Sequence, residues 1–117
     1  MFNERAVYVI SVAARLVEMD ASTLRKYERV GFLKPSRTGG NLRLYSAEDI
    51  VRLRQIKHLV EEQGLNLAGV ELALELTERM RRLQSALDRT TLESAELRRL
   101  LHSELDQFLR LLGTEAE

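Results

Sequence analysis

Five basic side chains lie close together in the first half of the chain and define the chemistry that it offers. Arg25, Lys26 and Arg29 occupy a segment of helical character, and Arg37 and Arg43 flank a glycine-rich turn. A guanidinium group binds a phosphate or a guanine edge through two parallel hydrogen bonds, whereas an ammonium group acts as a point charge. Residues of these types at this density predict a surface that binds a polyanion, with nucleic acid as the leading candidate.

The formal net charge of zero hides an uneven distribution along the chain. Residues 1–60 contain 11 basic and six acidic residues, whereas residues 61–117 contain seven basic and 12 acidic residues. This asymmetry favours a basic binding face in the first half and a separate interaction module in the second. A chain of 117 residues has room for one small domain with an extension.

The chain lacks the residues that several classes of function need. The chain has no cysteine, and its two histidines lie 44 positions apart, so we expect no metal site and no cofactor. No serine–histidine–acid grouping or phosphate-cradling loop is visible, so we expect no enzyme. No apolar run reaches the length of a membrane span, and no signal peptide is visible. We therefore expect a cytoplasmic, nucleoid-associated protein without a membrane partner.

Two short helices are predicted to position the first group of cations. The first begins at an N-cap, Ser11, and ends near Glu18. The second runs from Ala21 to Val30, and Gly31 suits the left-handed conformation that often follows a helix. Two short helices joined by a few residues form a helix-turn-helix. The second, about 15 Å long, would be the recognition helix, which lies in the major groove of DNA.

A two-stranded hairpin is predicted to carry the second group of cations. The turn signal at residues 38–41 lies between Ser36–Arg37 and Leu42–Tyr45, and alternation along the second strand places Arg43 and Tyr45 on one face. Beside a helix-turn-helix, such a hairpin would act as a wing on the neighbouring phosphate backbone. From residue types alone, we expect DNA contacts from Ser22, Thr23, Arg25, Lys26, Arg29, Arg37 and Arg43.

The second half of the chain predicts a long helix that associates with a partner. Neither glycine nor proline occurs from Val70 to Leu112, and the apolar residues recur in a 4-3 pattern. A continuous helix over residues 77–112, about 54 Å long, could bury such a stripe only against another helix, most simply one from a second copy. Thr90 and Ser94 interrupt the pattern, so a two-helix arrangement stays open, with residues 90–93 resembling a capping box. The expected dimerisation residues are Met80, Leu83, Leu87, Leu97, Leu101, Phe108 and Leu111.

The predicted fold class is mainly α, with a winged helix-turn-helix and a small β-hairpin wing. The winged helix-turn-helix domain is assigned to residues 1–76. Residues 77–117 are assigned to a coiled-coil dimerisation helix with a short tail.

Residues 8–76 resemble the N-terminal DNA-binding domain of the MerR family of transcription regulators. The segments that carry the resemblance follow the order found in the family: YVISVAA at 8–14, TLRKYERVGFL at 23–33, PSRTGGNLRLYS at 35–46 and GLNLAG at 64–69. The resemblance implies a winged helix-turn-helix followed by a long helix that dimerises as an antiparallel coiled coil. It also implies that Tyr27 and Tyr45 hold DNA together with the arginines. For Tyr27 an alternative stays open, a core position with its hydroxyl on a phosphate, and the two are compatible.

Within this family the chain is most similar to the heat-shock repressor branch, through VYVISVAARL at 7–16 and EEQGLNLAGVE at 61–71. That similarity implies double-stranded DNA with an inverted repeat upstream of chaperone operons as the partner of a homodimer. It also implies a DnaK-type chaperone as a candidate co-repressor. The chain departs from the usual pattern at Lys26, where many members have an aromatic residue. Leu42 and Leu44 make the second strand of the wing less basic than usual.

Two alternative functions stay open. A regulator of the glutamine-synthetase repressor type has the same fold and shares the Arg-Thr-x-Gly wing and the Gly-x-Asn-x-Ala-Gly segment. From a different class, an adaptor that binds protein through its coiled coil would bind DNA weakly and without regard to sequence. Metal-responsive members of the family have cysteines near the end of the dimerisation helix, and drug-responsive members add a large ligand-binding domain. This chain has neither, so we expect no small-molecule effector.

Overall fold

The computed structural model of this chain describes residues 6–89 and 94–114. The chain divides into two compact units, Met1–Lys57 and His58–Glu117. The described residues are mainly helical, with one small three-stranded sheet in the first unit. The predicted fold class is therefore confirmed.

The helix-turn-helix of the first unit consists of α1 (Ile10–Val17) and α2 (Ala21–Arg29). In the turn between them Glu18 adopts the left-handed conformation, with φ of 57°. Gly31 has φ of +88° directly after α2, a value that favours glycine because it has no Cβ. The Phe32 N–H then donates to the carbonyl of Tyr27 at 2.9 Å, which closes the C-terminal turn of α2.

The start of α1 differs from the prediction. A short strand, β1 (Ala6–Val9), leads directly into the helix, and Val9 takes the N-cap position without a side-chain hydrogen bond. Ser11 lies inside the helix, so its assignment as the N-cap is wrong. The physical reason is that β1 pairs with a strand more than 30 residues later in the chain, which fixes where the extended segment ends.

The sheet has the antiparallel order β1-β3-β2, where β2 is Ser36–Arg37 and β3 is Arg43–Ser46. Strands β2 and β3 form the predicted hairpin, with Arg37 opposite Arg43. Strand β1 is the element that the sequence did not predict, and it places Tyr8 opposite Tyr45. The hairpin is therefore anchored along one side by β1 rather than projecting alone.

Helix α3 (Ala47–Lys57) follows β3 directly and completes the first unit. Its start is a reciprocal capping box, in which the Asp49 N–H donates to Ser46 Oγ at 3.0 Å and the Ser46 N–H donates to Asp49 Oδ2 at 2.9 Å. At its end the Nζ of Lys57 donates to the carbonyls of Val17 (3.2 Å) and Glu18 (3.4 Å). A cation at the negative C-terminal end of α1 is favourable, so Lys57 stabilises the turn of the helix-turn-helix.

The core of the first unit draws on all three helices and on the sheet. Packing of these side chains fixes α2 against the rest of the unit, which is the requirement for a rigid recognition surface. The side chains with no exposed surface are Ala13, Leu24, Tyr45, Leu53 and Ile56.

The second unit begins with a π-helical turn at His58–Glu62 and continues with α4 (Leu67–Arg89) and α5 (Ala95–Leu111). Asn66 caps α4, since its Oδ1 accepts from the Gly69 N–H at 2.8 Å. Ser94 caps α5, since its Oγ accepts from the Leu97 N–H at 3.1 Å. None of the described helices is both long enough and apolar enough to span a bilayer.

Residues 77–112 do not form one continuous helix, so of the two arrangements left open the two-helix arrangement is the correct one. Helix α4 ends at Arg89, and α5 begins at Ala95; the predicted capping box at residues 90–93 lies outside the described residues. The two helices run antiparallel as a hairpin. A residue further along α4 contacts a residue nearer the start of α5. Gln84 Nε2 donates to Asp106 Oδ1 at 3.0 Å, whereas Asp88 Oδ1 lies 3.2 Å from Nε2 of the earlier residue His102.

The predicted boundary at residues 76 and 77 falls inside α4, which is unbroken there. The compact units instead divide between Lys57 and His58. The division into a DNA-binding and a dimerisation part thus stays a functional prediction and does not mark the edge of a compact unit.

Gly113 provides a test of packing in the second unit. It follows α5 with φ of +89°, and a Cβ at this position would lie 2.7 Å from Cδ2 of His58. We expect Gly113→Ala to lower the free energy of unfolding by about 2 kcal/mol, because the left-handed backbone and the contact with His58 both oppose it. Urea denaturation measures this effect. Gly39→Ala is the matched control, because no atom lies within 4 Å of the added Cβ, and equal effects of the two substitutions would contradict the prediction.

Candidate nucleic-acid interface

Helix α2 separates a buried side from a basic, exposed side. Leu24 and Tyr27 form the buried side and are 0% and 6% exposed. With about 100° between successive residues, the side directly opposite carries only polar residues. These are Ser22, Arg25, Lys26 and Arg29, and all four are exposed. The local amphipathic pattern therefore presents predicted DNA-binding residues to solvent on one stripe.

Thr23 and Glu28 lie on the two flanks of α2, between its buried and exposed sides, and are half-buried. Thr23 remains accessible next to the basic stripe. Glu28 faces the hairpin, where it contacts both predicted wing arginines. Through Glu28, one flank of α2 thus contacts the hairpin.

The hairpin is held by contacts within its own turn. The Thr38 N–H donates to the Leu42 carbonyl at 2.9 Å, and the Leu42 N–H donates to Thr38 Oγ1 at 3.0 Å. Asn41 takes the positive φ of 65° that the turn requires, and its carbonyl accepts from Arg37 at 3.3 Å. The side chain of Leu42 is half-exposed near this turn. A turn fixed in this way gives the two strands a single register, which fixes where Arg37 and Arg43 lie on the hairpin.

A single carboxylate binds both arginines of the hairpin. Glu28 Oε2 lies 2.9 Å from a terminal nitrogen of Arg37, and Glu28 Oε1 lies 2.5 Å from Nε of Arg43. Burial raises the pKa of Glu28, but the hydrogen bonds from Arg43 and Arg37 outweigh it, so the pKa of this carboxyl lies below its ordinary value. The hydrogen bond to Glu28 raises the pKa of Arg43. Recognition helix and hairpin are therefore joined by a charged cluster, which we call the Glu28 clamp (Glu28, Arg37 and Arg43).

The two tyrosines predicted to hold DNA lie in the core. Tyr27 is 6% exposed, and its ring centroid lies 5.8 Å from that of Phe32. Tyr45 is 0% exposed, and its hydroxyl lacks a hydrogen-bond partner among the described residues. Burial raises the pKa of Tyr45, and the nearby Glu28 carboxylate adds to that effect. In this conformation Tyr45 packs in the core, and its contact with DNA stays a prediction. The pleat of β3 turns its ring inward.

Sequence reasoning missed Glu28 and Arg52. Glu28 stands alone as an acid within the basic segment RKYER, and this isolated charge is the signal that could have marked it. The Nε of Arg52, on α3, donates to the carbonyl of Phe32 just after α2, a contact that no local pattern in the sequence indicates. Both residues fix the position of α2 relative to its neighbours. No cluster of metal-ligating residues occurs among the described residues.

The predicted dimerisation residues divide into two groups. Leu83, Leu97, Phe108 and Leu111 are 46–63% exposed, whereas Met80, Leu87 and Leu101 are half-buried. Leu72, Leu76 and Leu100 are exposed as well, although they were not predicted. By the geometry of a helix, each of two sets of exposed apolar residues forms one stripe, about 120° from the buried residues of the same helix. These are Leu72, Leu76 and Leu83 on α4, and Leu97, Leu100, Phe108 and Leu111 on α5.

The first unit thus combines a helix-turn-helix, a basic exposed stripe on its second helix and an adjoining hairpin, the features of a winged helix-turn-helix protein. The model of the MerR HTH family of regulatory proteins matches residues 8–77. The chain belongs to this family.

Three relatives illustrate the similarity. Heat shock protein HspR of Streptomyces coelicolor is 48% identical over 83 residues, which cover 71% of this chain and 55% of the relative. The transcriptional regulator GlnR of Bacillus anthracis is 34% identical over 100 residues, which cover 85% of this chain and 77% of the relative. The transcriptional regulator MlrA of Escherichia coli is 39% identical over 70 residues, 59% of this chain and 28% of the relative. The chain therefore spans little more than half of the length of HspR.

The Glu28 clamp predicts a specific dependence of stability on pH. Because the pKa of Glu28 is lowered in the folded protein, its contribution is complete above the ordinary value of 4.5 and is lost as the pH falls through the folded pKa. Glu28→Gln should therefore lower the free energy of unfolding by about 1 kcal/mol at neutral pH, since the three side chains are partly exposed, and by progressively less as the pH falls below 4.5. Urea denaturation at neutral pH and at a series of lower pH values measures this. Glu71→Gln, at an exposed position on α4, is the control, and a difference between wild type and Glu28→Gln that does not shrink as the pH falls would contradict the prediction.

Proposed function

We propose that this chain is a sequence-specific transcriptional regulator that represses heat-shock operons by binding inverted-repeat operators as a homodimer. The observation that carries the proposal is the exposed stripe of α2, with three cations beside a hairpin that carries two more. The heat-shock part rests on the 48% identity to HspR of Streptomyces coelicolor. The domain assignments of residues 1–76 to DNA binding and residues 77–117 to dimerisation belong to this proposal.

Helix α2 would read bases from the major groove. Its nine residues span about 14 Å, a length that fits the groove. Arg25 and Arg29 have the fork-shaped donors that match a guanine edge or a phosphate, and Lys26 supplies a point charge. The short side chains of Ser22 and Thr23, at the N-terminal end of α2, allow a close approach to the groove. We propose that α2 supplies sequence preference and that Arg37 and Arg43 bind phosphates.

A homodimer accounts for the outward stripes of α4 and α5. Apolar side chains of this size in an exposed stripe favour an interaction surface. Among the described residues, Glu104 is the one acid that lies within the stripe of α5. A symmetric dimer would present two copies of α2 to an operator whose halves are inverted repeats.

The regulatory partner is proposed from the same family relation. A DnaK-type chaperone would act as co-repressor, so that operator occupancy would follow the supply of free chaperone. We place this function in the cytoplasm, at the nucleoid. The second candidate is a nitrogen-type regulator, favoured by the match to GlnR over 85% of this chain, although the identity of 34% is lower than that to HspR.

Quantitative DNA binding at two salt concentrations tests the proposal. The duplexes are a chaperone-operon promoter and a glutamine-synthetase promoter from the source organism, together with a scrambled control, each with and without the DnaK-type chaperone. We expect binding to the first duplex at least about 1,000-fold tighter than to the control, and tighter still with chaperone. Selective binding to the second would favour the nitrogen-type regulator. Equal, steeply salt-dependent binding to all three would contradict sequence-specific regulation.

A further inference from the structure

Glu28 is the acidic member of an otherwise basic surface. The stripe of α2 and the hairpin together carry five cations, and the carboxylate of Glu28 binds two of these directly. Its side chain is 20% exposed, against 35% for Arg37 and 27% for Arg43, so the cluster lies at the surface and can be reached by a phosphate group. A carboxylate at such a place competes with any phosphate for the same donors.

The Glu28 clamp joins three elements. Glu28 lies on α2, Arg37 on β2 and Arg43 on β3. Its contact with Arg43 uses Nε, so the terminal amino groups of that guanidinium are not part of this hydrogen bond. Arg37 divides its terminal nitrogens between Glu28 and the Asn41 carbonyl. The carboxylate therefore fixes the direction of both arginines and couples the hairpin to the recognition helix.

We propose that Glu28 is a positioning residue that sets the specificity of DNA binding, by competing with DNA phosphates for Arg37 and Arg43. The proposal rests on the proposed function as a DNA-binding regulator. On an arbitrary sequence, the wing arginines gain little by exchanging the carboxylate for a phosphate. On the operator, contacts from α2 would hold the DNA phosphates at the positions to which Arg37 and Arg43 already point. The clamp thus lowers general affinity for DNA more than it lowers affinity for the operator.

The effect of this competition on binding follows from counterion release. Each unit of positive charge placed on DNA phosphates adds about 0.9 to the slope of log affinity against log salt. Glu28→Gln removes one negative charge from each chain of the proposed dimer and keeps a hydrogen-bond acceptor of nearly the same shape. At physiological salt, one additional unit of charge raises affinity for a random duplex about fivefold. Operator affinity should change by less than about twofold, because lost positioning offsets the gain.

The test compares full-length wild type, Glu28→Gln and Glu28→Asp on an operator duplex, obtained by selection, and on a scrambled duplex over a range of salt. Because a dimer carries two copies of the substitution, we expect Glu28→Gln to bind the scrambled duplex about 30-fold more tightly, about fivefold for each chain, with a salt slope steeper by about two and a correspondingly lower selectivity. Glu28→Asp keeps the charge, so its salt slope should match that of wild type even though its shorter side chain alters positioning. Glu71→Gln, with the same charge change at an exposed residue of α4, should leave affinity and slope unchanged.

Several outcomes decide the question. A merely structural role for Glu28 predicts weaker binding to both duplexes with an unchanged slope, which would overturn the proposal. Unchanged binding by Glu28→Gln would overturn it as well. If wild type fails to discriminate between duplexes, the proposed regulator function fails, while a gain of about 30-fold and a steeper slope in Glu28→Gln would still support the competition. The Nε–H resonance of Arg43 gives an independent readout in the free protein, since a neutral acceptor in Glu28→Gln should weaken its hydrogen bond and speed its exchange with solvent.

Discussion

Leu97→Glu combined with Phe108→Glu is expected to convert the proposed homodimer into a monomer and to lower operator affinity on the order of 100-fold or more. Both residues lie on the outward stripe of α5 and are 46% and 47% exposed, so the substitutions should not disturb the fold of a single chain. Four carboxylates placed in a symmetric interface would lose hydration without gaining partners. Each monomer would then bind one half-site without the effective concentration that a second half-site provides.

Sedimentation at micromolar protein and operator titration measure this prediction together. The control is Ala95→Glu combined with Ser103→Glu, which adds the same charge at exposed positions of α5 outside the stripe. That variant should stay dimeric and bind the operator as wild type does. A dimer that persists in the Leu97→Glu, Phe108→Glu variant would show that the outward stripe of α5 is not the interface.

Arg25→Glu is expected to produce the second-largest effect, a loss of affinity of roughly 30- to 100-fold for the operator. Arg25 lies on the exposed stripe of α2, so reversing its charge removes the proposed contact with DNA and places a carboxylate against phosphates. Thermal stability should change little, because the side chain is exposed.

Fluorescence anisotropy with operator and scrambled duplexes measures the effect of Arg25→Glu. Arg54→Glu is the matched control, since it makes the same change of charge at an exposed residue of α3 in the same unit. If both variants lost affinity to the same extent, α2 would contribute only general charge. Recognition by this helix would then be contradicted.

Local patterns were sufficient to predict the helix-turn-helix and the hairpin. The end of α2 was indicated by Gly31, and the hairpin turn by residues 38–41, because backbone conformations of these kinds require particular residues. The buried face of α2 followed from the spacing of Leu24 and Tyr27. The exposed positions of the basic residues on this helix followed from the same spacing.

Features that depend on distant parts of the chain were not predictable. Strand β1 exists because it pairs with β3, and the sequence around Tyr8 gives no sign of that partner. The inward orientation of Tyr45 follows from the same pairing and from the core beneath the sheet. The folding back of α5 onto α4 was left open at Ser94, because an apolar 4-3 pattern fits a partner from the same chain or from another equally well.

The central claim is that a dimer of this protein reads two inverted half-sites with its α2 helices. The most direct measurement is selection of tight-binding duplexes from a random-sequence library by full-length wild type, with Arg25→Glu selected in parallel. We predict that wild type enriches an inverted repeat whose half-site centres lie about 10 bp, or a multiple of that distance, apart, and that Arg25→Glu does not enrich it. Failure of wild type to enrich any sequence, or enrichment of one unrepeated motif, would contradict the claim.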